Sequence, residues 1–99
     1  MIEYEQYRLD LVSMEKDLKE LRAALGIQKE TGLLEDLEKQ TMDPGFYNDL
    51  EESQKVLQKI KKSKDIIGGF DALYKKWEDT KTLVELAIDE DDDSVFDEV

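Results

Sequence analysis

Apolar residues at Tyr4, Tyr7, Leu11, Met14, Leu18, Leu21 and Leu25 fall at steps that alternate between three and four. That spacing gathers them on one face of an α-helix and is the seam pattern of helices packed at a shallow angle. The opposite face carries Glu5, Asp10, Glu15, Lys16, Lys19, Glu20 and Arg22, with Glu15 and Lys19 set for a favourable i,i+4 pair. Gly26 supplies a C-terminal stop, so the spacing predicts a first helix over about residues 2–25. With one Pro and five Gly in 99 residues, few other places can end a helix.

A second, shorter helix is predicted over about residues 29–41, with Leu33, Leu34 and Leu37 as its apolar stripe. Gly32 weakens its start by up to about 1 kcal/mol relative to Ala. The run Thr41-Met42-Asp43-Pro44-Gly45 then breaks the pattern, because Pro44 cannot continue a preceding helix and pushes Asp43 out of the α region. Phe46 and Tyr47, just beyond, are expected to plug the corner so formed.

From Phe46 a third segment reads Leu50, Ser53, Leu57, Ile60, Lys64, Ile67, Phe70, Tyr74, Trp77, Lys81, Val84 and Ile88 on one face. This predicts a helix over about residues 46–88, roughly 60 Å long at 1.5 Å per residue. Gly68-Gly69 in its middle points to a bend or a close helix approach, with the helix continuous because the apolar register is the same on both sides. The fold class expected is all-α: an antiparallel three-helix bundle or helical hairpin with coiled-coil-like packing and one long helix in the C-terminal half.

Residues 85–99 hold eight acids and no base, and so carry −8 of the net charge of −12. The five consecutive acids Asp89 to Asp93 repel one another at a helix C-terminus, where the macrodipole already disfavours anions, and are expected to end the third helix. Ser94 with Asp97 resembles an N-cap and an acid in the first turn, so residues 94–99 read as the start of a further, truncated helix, and 1–93 as the domain.

Composition excludes several kinds of chemistry. The sequence has no Cys and no His, which removes disulfides, Cys- or His-ligated zinc, a Ser-His-Asp triad and a His proton shuttle. A charge of −12 argues against a general grip on DNA or RNA, since Lys and Arg supply sequence-independent affinity for phosphate. No apolar run approaches the ~20 residues of a membrane span, and Met1-Ile2-Glu3 opens no signal peptide, so a soluble chain away from membranes is expected.

The remaining features read as structural. The acids Glu90 to Asp93 lack the alternating ligands, central Gly and terminal Glu of an EF-hand loop, and read as a solvated turn. Lysines 55, 59, 61, 62 and 64 fan around a helix and read as a solubilising face, with a minor phosphate contact as the rival. Phe70, Tyr74 and Trp77 share a face with Ile67 and Val84, as core aromatics do. No Gly-rich phosphate loop, HExxH or nucleophile elbow is present. The sequence yields no catalytic, cofactor-binding or metal-ligating residue, and an enzyme is not expected.

Three stretches, in order and together spanning almost the whole chain, resemble the N-terminal region of the bacterial peptide chain release factor 2 family. They are Leu25-Gly26-Ile27, then Leu34-Glu35-Asp36-Leu37-Glu38-Lys39-Gln40 leading into Met42-Asp43-Pro44-Gly45-Phe46-Tyr47-Asn48-Asp49, and finally Leu83-Val84-Glu85-Leu86-Ala87-Ile88-Asp89-Glu90-Asp91-Asp92. In the family a short helix leads into a "DPxFWxD"-like corner, and a helix ends on an "ELAxEExD"-like acidic turn. Tyr47 stands where the family commonly has Trp, and Gly45 where Glu or Asp is frequent. The Gly-Gly-Gln motif that enters the peptidyl-transferase centre and the Ser-Pro-Phe motif of codon reading are both absent, and Gly68-Gly69-Phe70 is not a variant of the former.

The resemblance implies a cytoplasmic protein that, when intact, directs translation termination at UAA and UGA. It further implies that this portion is a helical first domain near the stalk base of the large ribosomal subunit. There it would help seat the factor and take part in the interplay with the class II release-factor GTPase. The leading reading is a ribosome-interaction module with no chemistry of its own, expected to be monomeric because a closed bundle covers its own seams. The alternatives are a free-standing coiled-coil adaptor or chaperone-like scaffold, which would self-associate, and the matching domain of the sister factor that reads UAA and UAG.

Overall fold

The structure, a computed structural model, describes residues 3–97, with side chains described as far as residue 91. It holds three α-helices, α1 (Tyr4–Leu25), α2 (Ile27–Thr41) and α3 (Leu50–Asp97), with a short 3-10 turn at Phe46–Asn48. No strand occurs among the described residues. The fold is all-α with antiparallel helix-on-helix packing, as the periodicity implies.

The chain divides into two compact units. The first joins residues 1–20 with 72–99. Here the early part of α1 meets the late part of α3 in antiparallel sense. Trp77 Nε1–H donates to the Leu11 carbonyl at 2.8 Å, and farther along the same pair of helices the Glu85 carboxylate acts on the Arg8 guanidinium. Leu18 and Trp77 are buried. Tyr4, Leu11, Val84, Ala87 and Ile88 are half-buried around them.

The second unit, Leu21–Asp71, is built on α2 and the first half of α3. Leu37, Val56 and Ile60 form its core cluster, with Leu34 and Phe46 packed against it. The Ser63 hydroxyl donates to Glu30 Oε2 at 2.7 Å, so the start of α2 faces the middle of α3 and the two helices run antiparallel. Ile27 and Phe70 are also buried in this unit.

One residue separates α1 from α2. Gly26 adopts φ 63° and ψ 42°, the left-handed conformation that a Cβ disfavours. Its N–H donates to the Ala23 carbonyl at 3.0 Å, and its own carbonyl accepts from Glu30 N at 2.8 Å. The second helix therefore begins at Ile27, two residues before the position the sequence predicts, and places Ile27 in the core. Gly32 lies inside α2 and not at its start.

The third helix differs from expectation at both ends. It starts at Leu50 and not at 46, because Phe46–Asn48 form the 3-10 turn and Asp49, in extended backbone, caps α3. Asp49 Oδ1 accepts from Glu52 N at 3.1 Å, an N-cap bond. At the other end the acidic run does not stop the helix, and no new helix opens at Ser94: α3 passes through both to Asp97. The residues after Gly69 include neither Gly nor Pro. Like-charge i,i+4 pairs cost only a few tenths of a kcal/mol each, which is too little to interrupt a helix anchored by Val84, Ala87 and Ile88.

The seam on α3 also runs in a different phase over its first half. Val56 and Ser63 are buried where Leu57 and Lys64 were expected, and Leu50 is exposed. Ser53, Val56, Ile60, Ser63, Ile67, Phe70, Trp77, Lys81, Val84 and Ile88 are buried or half-buried and with Tyr74 keep the three–four alternation throughout, with Ile66 and Ala87 half-buried beside it. On α1, Tyr7, Met14, Leu21 and Leu25 of the expected stripe remain substantially exposed, while Tyr4, Leu11 and Leu18, seven residues apart, turn inward. At Gly68 and Gly69 the helix is continuous, and an added Cβ would meet nothing within 4 Å, so no close helix approach occurs there.

Candidate functional site

The corner between α2 and α3 is the most elaborately bonded part of the chain outside its helices. Pro44 prevents α2 from continuing. Asp43 then organises the turn, its Oδ1 accepting from Gly45 N at 2.9 Å and its carbonyl from Phe46 N at 2.9 Å. The Gly45 carbonyl accepts from Asn48 N at 3.0 Å, which closes the 3-10 turn. Gly45 suits this geometry because a Cβ there would lie 3.2 Å from Asn48 Nδ2.

The two corner aromatics behave differently. Phe46 packs against the Leu37–Val56–Ile60 cluster and fills the corner as expected. Tyr47 does not: it meets Phe46 edge-on, with ring centroids 4.8 Å apart and planes at 83°, and projects into solvent. Met42 and Leu50, at either end of the corner, are also exposed. Sequence periodicity assigned Leu50 to the seam and gave no sign of Met42. The signal that distinguishes both is their place outside the three–four alternation that begins at Ser53.

The aromatic stripe is mostly core. Phe70 and Trp77 are buried, whereas Tyr74 is partly exposed. Beside the tilted Tyr74–Trp77 pair, centroids 5.4 Å apart, a shallow groove is lined by Glu15, Glu78, Lys81 and Glu85. Its own Lys81 occupies it, with Nζ 5.5 Å from the Trp77 ring and 4.0 Å from Glu85 Oε1. The lysine cluster is solvent-facing. Lys55 pairs with Glu51 at 3.9 Å and Lys64 with Glu38 at 3.7 Å, while Lys59, Lys61 and Lys62 make no ion pair among the described residues.

Charge is divided unevenly. The first unit holds sixteen acids against six bases, net −10, and the second ten against eight, net −2. The Arg8 hydrogen bond, helped by its positive charge, holds Glu5 below the usual carboxylate range, and the same bond keeps Arg8 firmly protonated. Among the described residues no group of three or more acidic side chains is placed to hold a metal ion, and no helix is long and apolar enough to cross a membrane.

The described residues thus form three helices and one closely hydrogen-bonded corner with Met42, Tyr47 and Leu50 exposed. Over nearly its whole length the chain is similar to proteins named peptide chain release factor 2. That from Petrotoga mobilis is 30% identical over 95 residues, which is 96% of this chain and 25% of the relative. The Clostridium perfringens protein is 29% identical over 94 residues, 95% of this chain and 26% of its own length. The Rhodococcus erythropolis protein is 28% identical over 88 residues, 89% and 24% respectively. The chain is homologous to a segment of peptide chain release factor 2 and spans about a quarter of the length of the curated relatives it matches. No family model matches the chain, and no solved structure matches it significantly.

Proposed function

We propose that this chain is part of the helical N-terminal domain of a peptide chain release factor that directs termination at UAA and UGA, and that this domain is a ribosome-interaction module with no catalytic or codon-reading role. The observation that carries this reading is similarity across 96% of the chain to a relative of that name. The absence of Gly-Gly-Gln and Ser-Pro-Phe from these residues supports a supporting role over a reacting one. The intact protein would act in the cytoplasm, contacting the stalk-base region of the large subunit and co-operating with the class II release-factor GTPase. A net charge of −12 favours contact through ribosomal protein over bare RNA.

Sedimentation with purified ribosomes tests the proposal. The chain is expected to co-sediment weakly and to release no formyl-methionine from a programmed ribosome. Failure to bind, or release of formyl-methionine by this chain alone, would overturn it, as would a reading frame beyond Val99 without a Gly-Gly-Gln. A second reading, a self-associating scaffold, draws on the exposure of Tyr7 and Met14 on the expected α1 seam. Light scattering separates the two: the proposed monomer keeps one mass at all concentrations, and the scaffold does not.

A further inference from the structure

The first unit is a pair of antiparallel helices, and a pair has two open sides. Steps along each helix assign residues to one side or the other. Glu15 follows Leu11 by four positions and Lys81 follows Trp77 by four, and both line the shallow groove already described. A step of three turns the other way about the helix axis, so Tyr7 and Met14, three beyond Tyr4 and Leu11, lie along the opposite side. On α3 that side receives Leu73, four before Trp77, and Thr80 and Leu83, three and six beyond it.

This second side is apolar and open. Tyr7 is 53% exposed, Met14 48%, Leu73 45% and Leu83 66%. Thr80 between the two leucines is small, and its hydroxyl donates to the Lys76 carbonyl at 2.7 Å, so it asks no polar partner of an occupant. Single exposed apolar side chains are ordinary, but four large ones along one channel leave a seam uncovered. A channel between two helices suits a third helix, which anchors through its own residues at i, i+3, i+4 and i+7.

Charge selects which helix. Asp10 and Asp17, three beyond Tyr7 and Met14, edge the channel on α1, and Lys76 and Glu90 edge it on α3. The unit as a whole carries −10. A second copy would bring the same acidic edge, and a nucleic acid its phosphates, and both would be repelled. Lys and Arg flanking the apolar stripe of an amphipathic helix would be drawn to the Asp10–Asp17 edge.

We infer that the Tyr7–Met14–Leu73–Leu83 channel is the slot for a third helix supplied by a partner, an amphipathic helix with basic flanks. This rests on the geometry of the first unit and not on the proposed ribosomal role. The probe is a fluorescein-labelled peptide of about fifteen residues, roughly 22 Å of helix, with Leu at alternating steps of three and four and Lys elsewhere. Its fluorescence anisotropy is expected to rise on adding the chain, and a scrambled peptide of the same composition is expected to bind at least tenfold more weakly. Met14→Ser with Leu83→Ser is expected to weaken binding at least tenfold. Leu9→Ser with Leu86→Ser, at exposed positions turned away from the channel, leaves it unchanged. Circular dichroism confirms that each variant keeps its helix content. In the unaltered chain, peptide is expected to shift the methyl NMR signal of Met14 and not that of the more exposed Met42.

Equal binding of the scrambled peptide, binding that survives Met14→Ser with Leu83→Ser, or a shift of Met42 without Met14 overturns the inference. Self-association of the chain that the same double substitution abolishes makes a second copy the occupant, and overturns it too.

Discussion

Trp77 on α3 donates its indole N–H to the carbonyl of Leu11 on α1 across 2.8 Å, a bond between residues 66 positions apart. It places the only tryptophan at the centre of the first unit, with its ring buried and its one polar atom satisfied. Because an aromatic ring of this size dominates so narrow a core, the unit is sensitive to it. Trp77→Ala is expected to lower stability by about 3–5 kcal/mol. Trp77→Phe removes the bond and part of the ring, for a loss of at least about 1 kcal/mol. Urea titrations followed by far-ultraviolet circular dichroism measure both.

Two serines sit on the α3 seam at 2% exposure, Ser53 and Ser63. Ser53 donates to the Leu50 carbonyl at 3.0 Å within its own helix, so Ser53→Ala leaves no partner stranded and is expected to be near neutral. Replacing Ser63 by Leu overfills the space facing α2 and leaves Glu30 without its donor, and a loss of about 1–3 kcal/mol is expected. A thermal-shift series over Ala and Leu at both positions checks the contrast.

The glycines make opposite predictions. Gly32, Gly68 and Gly69 lie inside helices with open space where a Cβ would go, so Ala at each is expected to add about 0.5–1 kcal/mol. Gly26 also has space but sits at φ 63°, where Ala is expected to cost about 1–2 kcal/mol. Melting temperatures of the four variants, rising for three and falling for Gly26→Ala, are the measurement.

The Glu5–Arg8 pair predicts a pH effect with a definite sign. Hydrogen bonding from Arg8 holds Glu5 below the ordinary carboxylate range in the folded chain. The resulting stabilisation is present above the unfolded-state value and is lost as pH falls through the folded one. An NMR titration of the Glu5 side-chain carboxyl is expected to show a low midpoint that returns to the ordinary range in Arg8→Ala. An unchanged midpoint in that variant would rule out Arg8 as the cause.

Salt tests the acidic end of α3. Asp89, Glu90 and Asp91 lie in consecutive helical positions with no base beyond Lys81. Raising ionic strength screens their mutual repulsion. Cα chemical shifts over 89–97 are expected to become more helical between low and high salt, with little change over 50–70.

Helix content and the inward turn of most apolar positions were legible because amphipathic periodicity is a local property that any window of two or three turns displays. Gly26 and Pro44 were legible for the same reason, since each acts on its own backbone. The expected ion pair between Glu15 and Lys19 forms at 3.6 Å. The acidic run does not stop α3, because the half-buried Val84, Ala87 and Ile88 hold the helix together against a repulsion that is only local.

What lay beyond the sequence was the choice between neighbouring positions on a helix face. Leu57 and Val56 are one residue apart and equally apolar, as are Tyr47 and Phe46 nearly so, and only the placement of α2 against α3 sent Val56 and Phe46 inward and left Leu57 and Tyr47 outside. The amino-acid order by itself determined three helices, their two breaks and a strongly acidic character, because helix formation, glycine conformation and proline geometry are settled within a few residues. The tertiary structure alone decided the seam's phase, the burial of Ser53 and Ser63, and the outward Met42, Tyr47 and Leu50, because these depend on which surface a distant segment of chain comes to cover.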